Sequence, residues 1–189
     1  RRFGNFIRGR IPKVDAVRDA LALLEADEVG DLLDSIVEKT YRNAVFRSGT
    51  IGGYTAAAVD GVELFSSTKK SCRKCLTRKN KAGQTEYFHR SVVCASIGHS
   101  PHVVLGQEML TPRDGGEKDE GELTGGKRLV RDLHRKFGHF ADVIVADALY
   151  LNAPFLNTVL DCHMDAVIRL KDEERLIYKD AKGLFEKGE

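Results

Sequence analysis

Asp60 and Asp147 each close a largely apolar run, Tyr54–Val59 in the first case and Ala141 to Asp147 (ADVIVAD) in the second. A carboxylate at the end of a buried strand is costly unless it is hydrogen-bonded, paired or bound to a metal. Singly, each has an ordinary use. Asp60-Gly61 suits a two-residue type I′ hairpin, and Asp147 can orient the loop before a helix that begins at Asn152. Together on neighbouring strands they are the hard oxygen ligands that Mg²⁺ or Mn²⁺ takes, with water and phosphate completing the octahedron. Two such ions about 4 Å apart activate an attacking oxygen and stabilise a leaving one in a phosphodiester displacement.

A second group carries softer donors. Cys72-x-x-Cys75 is half of a tetrahedral zinc site, and His89 with Cys94 gives the spacing C-x₂-C-x₁₃-H-x₄-C. His89 and Cys94 lie five apart on a predicted strand, so their side chains point to opposite faces, and a four-residue site needs a bulge. The alternative is free thiols in a loop. Around this pair runs a basic block. Between Ser66 and Lys81 stand seven basic residues (Lys69, Lys70, Arg73, Lys74, Arg78, Lys79, Lys81) and no acidic one. Such a block sits in water or against a polyanion, and a DNA phosphate backbone is the polyanion expected. Arg1, Arg2, Arg8 and Arg10 form a second basic cluster.

The elements that must position these residues fall into two regimes. From Pro12 to Arg47 apolar residues recur at helical steps: Val14, Val17, Leu21 and Leu24, then Leu32, Leu33, Ile36, Val37 and Tyr41. Gly49, Gly52 and Gly53 mark a boundary, giving a helical region over 1–50 and a core over 51–189. Strands are expected at Tyr54–Val59, Glu86–Ile97 and Pro101–Leu110. A helix with apolar face Leu129, Val130, Leu133 and Phe137 comes next, weakened at its start by Gly125 and Gly126. Then come a strand to Asp147, a helix capped by Asn152 that buries Cys162, and a strand over Asp165–Lys171. This is an α/β chain with a mixed five-stranded sheet and flanking helices.

The chain has 189 residues, 42% of them hydrophobic, and a net charge of +2, which is enough for a buried core. No apolar run approaches the ~20 residues of a membrane span, so no membrane partner is expected. Four cysteines with this spacing fit a reducing cytoplasm better than a disulfide framework. Both ends read as cut from a longer protein.

Several runs resemble the insertion-sequence transposases of the DDE type. These are Ala57-Ala58-Val59-Asp60-Gly61-Val62-Glu63-Leu64, Cys72-Arg73-Lys74-Cys75-Leu76-Thr77-Arg78 and Tyr87-Phe88-His89. Further on come Glu117-Lys118-Asp119-Glu120-Gly121-Glu122 with Lys127-Arg128-Leu129, and Val145-Ala146-Asp147-Ala148-Leu149-Tyr150 with Ile168-Arg169-Leu170-Lys171. The resemblance covers the chain from about residue 50 onward, in order. It implies an RNase H-like core with Asp60 and Asp147 as catalytic metal ligands, and two-metal hydrolysis and strand transfer at transposon ends. It implies double-stranded DNA as partner, with Arg169 and Lys171 joining Lys69, Lys70, Arg73, Lys74 and Arg78 at the DNA, and a homodimer when full-length. The third carboxylate of that family is a Glu on a helix far downstream. Here it is expected beyond the chain, leaving this piece folded but inactive. Glu122 is the internal substitute, or else a first-turn charge favoured by the helix dipole. The rival functions are a non-catalytic, zinc-stabilised nucleic-acid-binding module and an RNase H-like nuclease.

Overall fold

The computed structural model describes residues 12–98, 102–112, 119–171 and 173–187. The cluster Arg1, Arg2, Arg8 and Arg10 and the stretch 113–118 lie outside the described residues. Two compact units divide inside one helix, at Ile36/Val37. In the first unit, α1 (Val14–Leu21) and the start of α2 (Ala26–Arg42) leave Val14, Leu21, Leu23 and Leu32 exposed. The division comes earlier than the Gly49–Gly53 boundary because the last turns of α2 belong to the second unit and pack there. Val37 is fully buried, the Tyr41 hydroxyl donates to the Phe140 carbonyl at 2.6 Å, and the Tyr41 and Phe46 rings lie 4.7 Å apart.

The second unit is built on a mixed, six-stranded sheet. Its strands are β1 (Ala56–Ser67), β2 (Leu76–Lys79), β3 (Thr85–Ile97), β4 (Val104–Met109), β5 (Val143–Ala146) and β6 (Asp165–Ile168). β1 and β3 pair antiparallel along almost their whole length, with a register shift between Glu63 and Phe65. β5 lies parallel to β1, and β6 parallel to β5. The far side of β3 takes β2 over Thr85–Phe88 and β4 over Ser91–Ala95. The expected count of five strands is therefore corrected to six. β2 (LTRK) has a single apolar residue, Leu76, and its order comes from pairing with β3 rather than from any pattern of its own.

Asp60 does not end its strand and is not in a hairpin turn, as its Asp-Gly pair allowed. β1 runs on for a further seven residues to Ser67 because β3 continues beside it, whereas β5 stops after Ala146. What ends at Asp60 is the sheet on one side of β1. The sequence pattern registers the loss of a neighbour as the loss of a strand.

Two helices cover the sheet. α3 (Glu122–Phe137) lies against β1, β3 and β4, and α4 (Ala153–Asp161) against α3 and β6. Gly125 and Gly126 are expected to weaken α3, yet they form its contact face. A Cβ at Gly125 would collide with Leu110, and one at Gly126 would come within 2.9 Å of the Tyr150 ring. The propensity cost, about 1 kcal/mol per glycine, is offset by close approach to a core containing Leu129, Val130, Leu133, Ile144, Tyr150 and Phe155, each at most 2% exposed. α4 begins as expected, with the Asn152 side chain accepting from the Phe155 N–H at 2.9 Å, and Cys162 is buried at its end. The stretch after Arg175 forms α5 (Leu176–Lys187). Its Leu176, Ile177, Leu184 and Phe185 are exposed, and Glu186 pairs with Lys182 at 3.9 Å.

The pairing of β1 with β5 is pinned at its start by Asp142. Its Oδ2 accepts from both the backbone N–H and the hydroxyl of Thr55, each at 2.7 Å, and Oδ1 lies 2.8 Å from His139 Nε2. The His139 bond first, and the Thr55 donors next, hold the carboxyl at about 2, against an ordinary 3.8. A depressed folded value means stability that is complete above 3.8 and lost as pH falls toward 2. Asp142→Asn should lower the unfolding free energy at neutral pH. It should also flatten the decline in stability between pH 4 and 2 seen in denaturant titrations of the native chain.

Candidate metal centres

The densest ligand cluster lies where β1, β2 and β3 meet beyond β5. Cys72 Sγ and Cys75 Sγ are 3.6 Å apart, and His89 Nε2 is 3.2 Å from the first and 3.4 Å from the second. Among the described residues this is the group whose three ligand atoms all lie within 4.8 Å of one another. The chain makes it locally. Cys75 N–H donates to the Cys72 carbonyl and Cys72 N–H to Cys75 Sγ, both at 3.2 Å, closing a tight turn just before β2. Leu76, buried at the first step of β2, then carries that turn against β3, where His89 stands opposite Phe65. Two thiolates and an imidazole are borderline-soft donors, and the group can hold a metal such as zinc.

Cys94 is not part of it. It sits opposite Val59 in the core, fully buried, and burial pushes its thiol up to about 12. The five-residue step along β3 separates it from His89, and no bulge brings it back.

The carboxylates form a second region. Val59 pairs with Ala146 across the parallel β1–β5 ladder, so Asp60 and Asp147 are the next residues of two neighbouring strands. Both are exposed. Asp60 Oδ1 accepts from the Gly61 N–H at 2.8 Å, and Asp147 Oδ1 from the Leu149 N–H at 2.9 Å. Lys171 Nζ is 3.7 Å from Asp147 Oδ2.

Glu122 joins this region from the first turn of α3 and is not a solvated surface charge. Its carboxylate rests over Gly61, where any Cβ would collide with it, and accepts from Arg90 at 2.6 Å. Tyr150, one turn past Asp147, is fully buried. Among the described residues its hydroxyl has no hydrogen-bond partner. Burial first, then the charges of Glu122, Asp60 and Asp147, push that phenol well above its ordinary value. Gly61, Arg90 and Tyr150 carry no sequence signal of their own. Gly61 reads as half of a turn, and the other two read as ordinary strand and core residues.

The basic residues divide. Lys69, Lys70, Arg73 and Lys74 are exposed in the loop between β1 and β2. Arg78 is engaged: it donates to both oxygens of Glu63, at 2.7 and 3.0 Å, and to Glu86 at 2.7 Å, over the Phe88 ring. Its charge is shared with two carboxylates. Arg169 is exposed past β6, its backbone N–H donating to the Ala146 carbonyl at 3.2 Å.

Comparison with known proteins returns no match: no family model fits the chain, and no curated protein or solved structure matches it. No helix among the described residues is long and apolar enough to cross a membrane.

The Glu122–Gly61 contact is testable by coupling. Gly61→Ala should push the carboxylate off Arg90 and destabilise by about 1–3 kcal/mol, in the range of small overpacking changes. In a Glu122→Ala background the same substitution should cost little, because the atoms it strikes are gone. Equal costs in both backgrounds, measured by urea unfolding, would refute the contact.

Proposed function

We propose that this chain is the catalytic part of a DDE-type DNA transposase with an RNase H-like core, acting on DNA phosphodiesters with Mg²⁺ or Mn²⁺. The single observation that carries the reading is the register of β1 on β5. It takes two aspartates far apart in sequence and sets them as successive neighbours at the point where the sheet narrows. The strand order β4-β3-β1-β5-β6, with β3 the antiparallel member beside β1, supports the same reading. So do the family-like runs that contain these residues.

On this reading these carboxylates take a hard divalent cation. Asp60 and Asp147 offer carboxylate oxygens from adjacent strands, and the buried Tyr150 hydroxyl, unpartnered among the described residues, is a polar group that an ordered water commonly satisfies. When bound, the ion supplies positive charge to the attacking and leaving oxygens. The chain's part is to hold and orient. Lys171 offsets the charge of Asp147, and Arg90 that of Glu122. Glu122 is the described candidate for a third carboxylate. Lys69, Lys70, Arg73 and Lys74 would meet phosphates on the far side of the strand extension. The alternative, a zinc-stabilised module that binds nucleic acid without cutting it, draws on the Cys72–Cys75–His89 cluster that borders this loop.

Two measurements test the proposal. Fe²⁺ substituted for Mg²⁺, with ascorbate and peroxide, should cut the polypeptide beside Asp60 and Asp147. Asp60→Asn or Asp147→Asn should remove those cuts and leave the fold intact, since losing one anion from a like-charged cluster relieves repulsion. Cuts elsewhere only, or cuts indifferent to both substitutions, would overturn the carboxylate site. Charge reversal at Lys69, Lys70 and Arg73 should weaken DNA binding for all sequences alike and make its salt dependence shallower. An unchanged salt slope would assign the loop to solvent.

A further inference from the structure

We infer that Cys72, Cys75 and His89 bind one Zn²⁺ with three protein ligands, and that its fourth corner is open to an exchangeable water or small anion. This goes beyond the carboxylate chemistry and does not rest on it. Zn–S bonds of about 2.3 Å and Zn–N bonds of about 2.0 Å set tetrahedral edges of roughly 3.8 Å between the sulfurs and roughly 3.5 Å from sulfur to nitrogen. The three separations, 3.6 Å between the sulfurs and 3.4 and 3.2 Å from sulfur to nitrogen, all lie just below those edges, so an ion enters with shifts of a few tenths of an ångström.

The fourth corner is set by which residues are near and which are not. Cys94, the remaining donor that the spacing offers, faces the core on the other side of β3. No fourth Cys, His, Asp or Glu of the described residues joins the group. Buried Cys75 and half-buried His89 form the floor of the site, while Cys72 is exposed at its rim, so the remaining corner points to solvent. Two thiolates, a neutral imidazole and Zn²⁺ sum to zero charge. The pull on an anion then comes from the loop, where Lys69, Lys70, Arg73 and Lys74 are all exposed and surround the two cysteines in sequence. A ligand of this kind is small and anionic, and it enters by replacing a water. Three protein ligands with one exchangeable corner is the coordination of reactive zinc sites rather than of closed structural ones.

The test uses the whole chain, loaded with zinc and then exchanged with Co²⁺. Elemental analysis should find one zinc per chain. The cobalt form should show the intense visible bands of a tetrahedral site and a near-ultraviolet thiolate-to-metal band. Cys72→Ser, at an exposed position that does not threaten folding, should lose one thiolate's share of that band, whereas Cys94→Ser should leave it unchanged. Azide added to the cobalt form should shift the visible bands. Absence of bound zinc and of the cobalt bands would overturn the site. Bands that appear but ignore azide, or that fall in Cys94→Ser, would overturn the open corner.

Discussion

The parallel pairing of Ala56–Val59 with Val143–Ala146 is the contact on which the second unit depends. Val59 and Ile144 are at most 1% exposed and Ala146 is 8% exposed, so the two strands meet at the centre of the core. Side chains alternate faces along a strand, and a slip of one residue would send this apolar set to the opposite side. Burial therefore fixes the register closely. Asp142, bound to Thr55, marks one end of the shared segment, and Asp60 with Asp147 marks the other. The two aspartates are neighbours because apolar residues before them cannot pack in any other register.

Beyond that segment, a chain of alternating charge replaces the apolar core. Glu122 on α3, Arg90 on β3, Glu63 on β1, Arg78 on β2 and Glu86 on β3 succeed one another through hydrogen bonds of 2.6 to 3.3 Å. Each arginine serves two acids, which a planar guanidinium can do and an ammonium on a flexible stem does poorly. These groups keep contact with water, so their attraction is screened and their contribution lies more in fixing geometry than in stability. The result is a polar brace joining one helix and three strands where the extension leaves the core.

Much of this architecture is legible in the residues, and the failures share a cause. Helical spacing over Val14–Tyr41, the aromatic and β-branched run of β3, the VIVA strand and the Asn152 cap are strong local patterns, and each appears where expected. β2 and the second half of β1 escape a local reading because their order comes from a partner strand, which no local pattern records. Propensity alone misjudges the glycines of α3, where packing decides their role. At the candidate centres, types and spacing point to Cys72, Cys75 and His89, which the fold brings together, and to Asp60 and Asp147, which follow paired residues of neighbouring strands. Parity along β3 correctly separates Cys94 from His89. Arg90, Gly61 and Tyr150 matter only through neighbours distant in sequence.

The unequal strand lengths have a mechanical consequence. β5 has four residues and β6 four, against twelve in β1 and thirteen in β3, so the long pair runs on past the parallel strands, with β2 and β4 still paired to β3 beside it. The part of β1 beyond Val59 is roughly 25 Å long at the usual strand rise. It is rooted beside Asp60 and carries the cysteine turn and the lysine loop toward its far end. An extension of this kind acts as a lever: a bend of about five degrees at the root moves the tip by roughly 2 Å over this length. The loop's position is thus tied to the strand geometry beside Asp60, where β1 keeps β3 as a neighbour but loses β5.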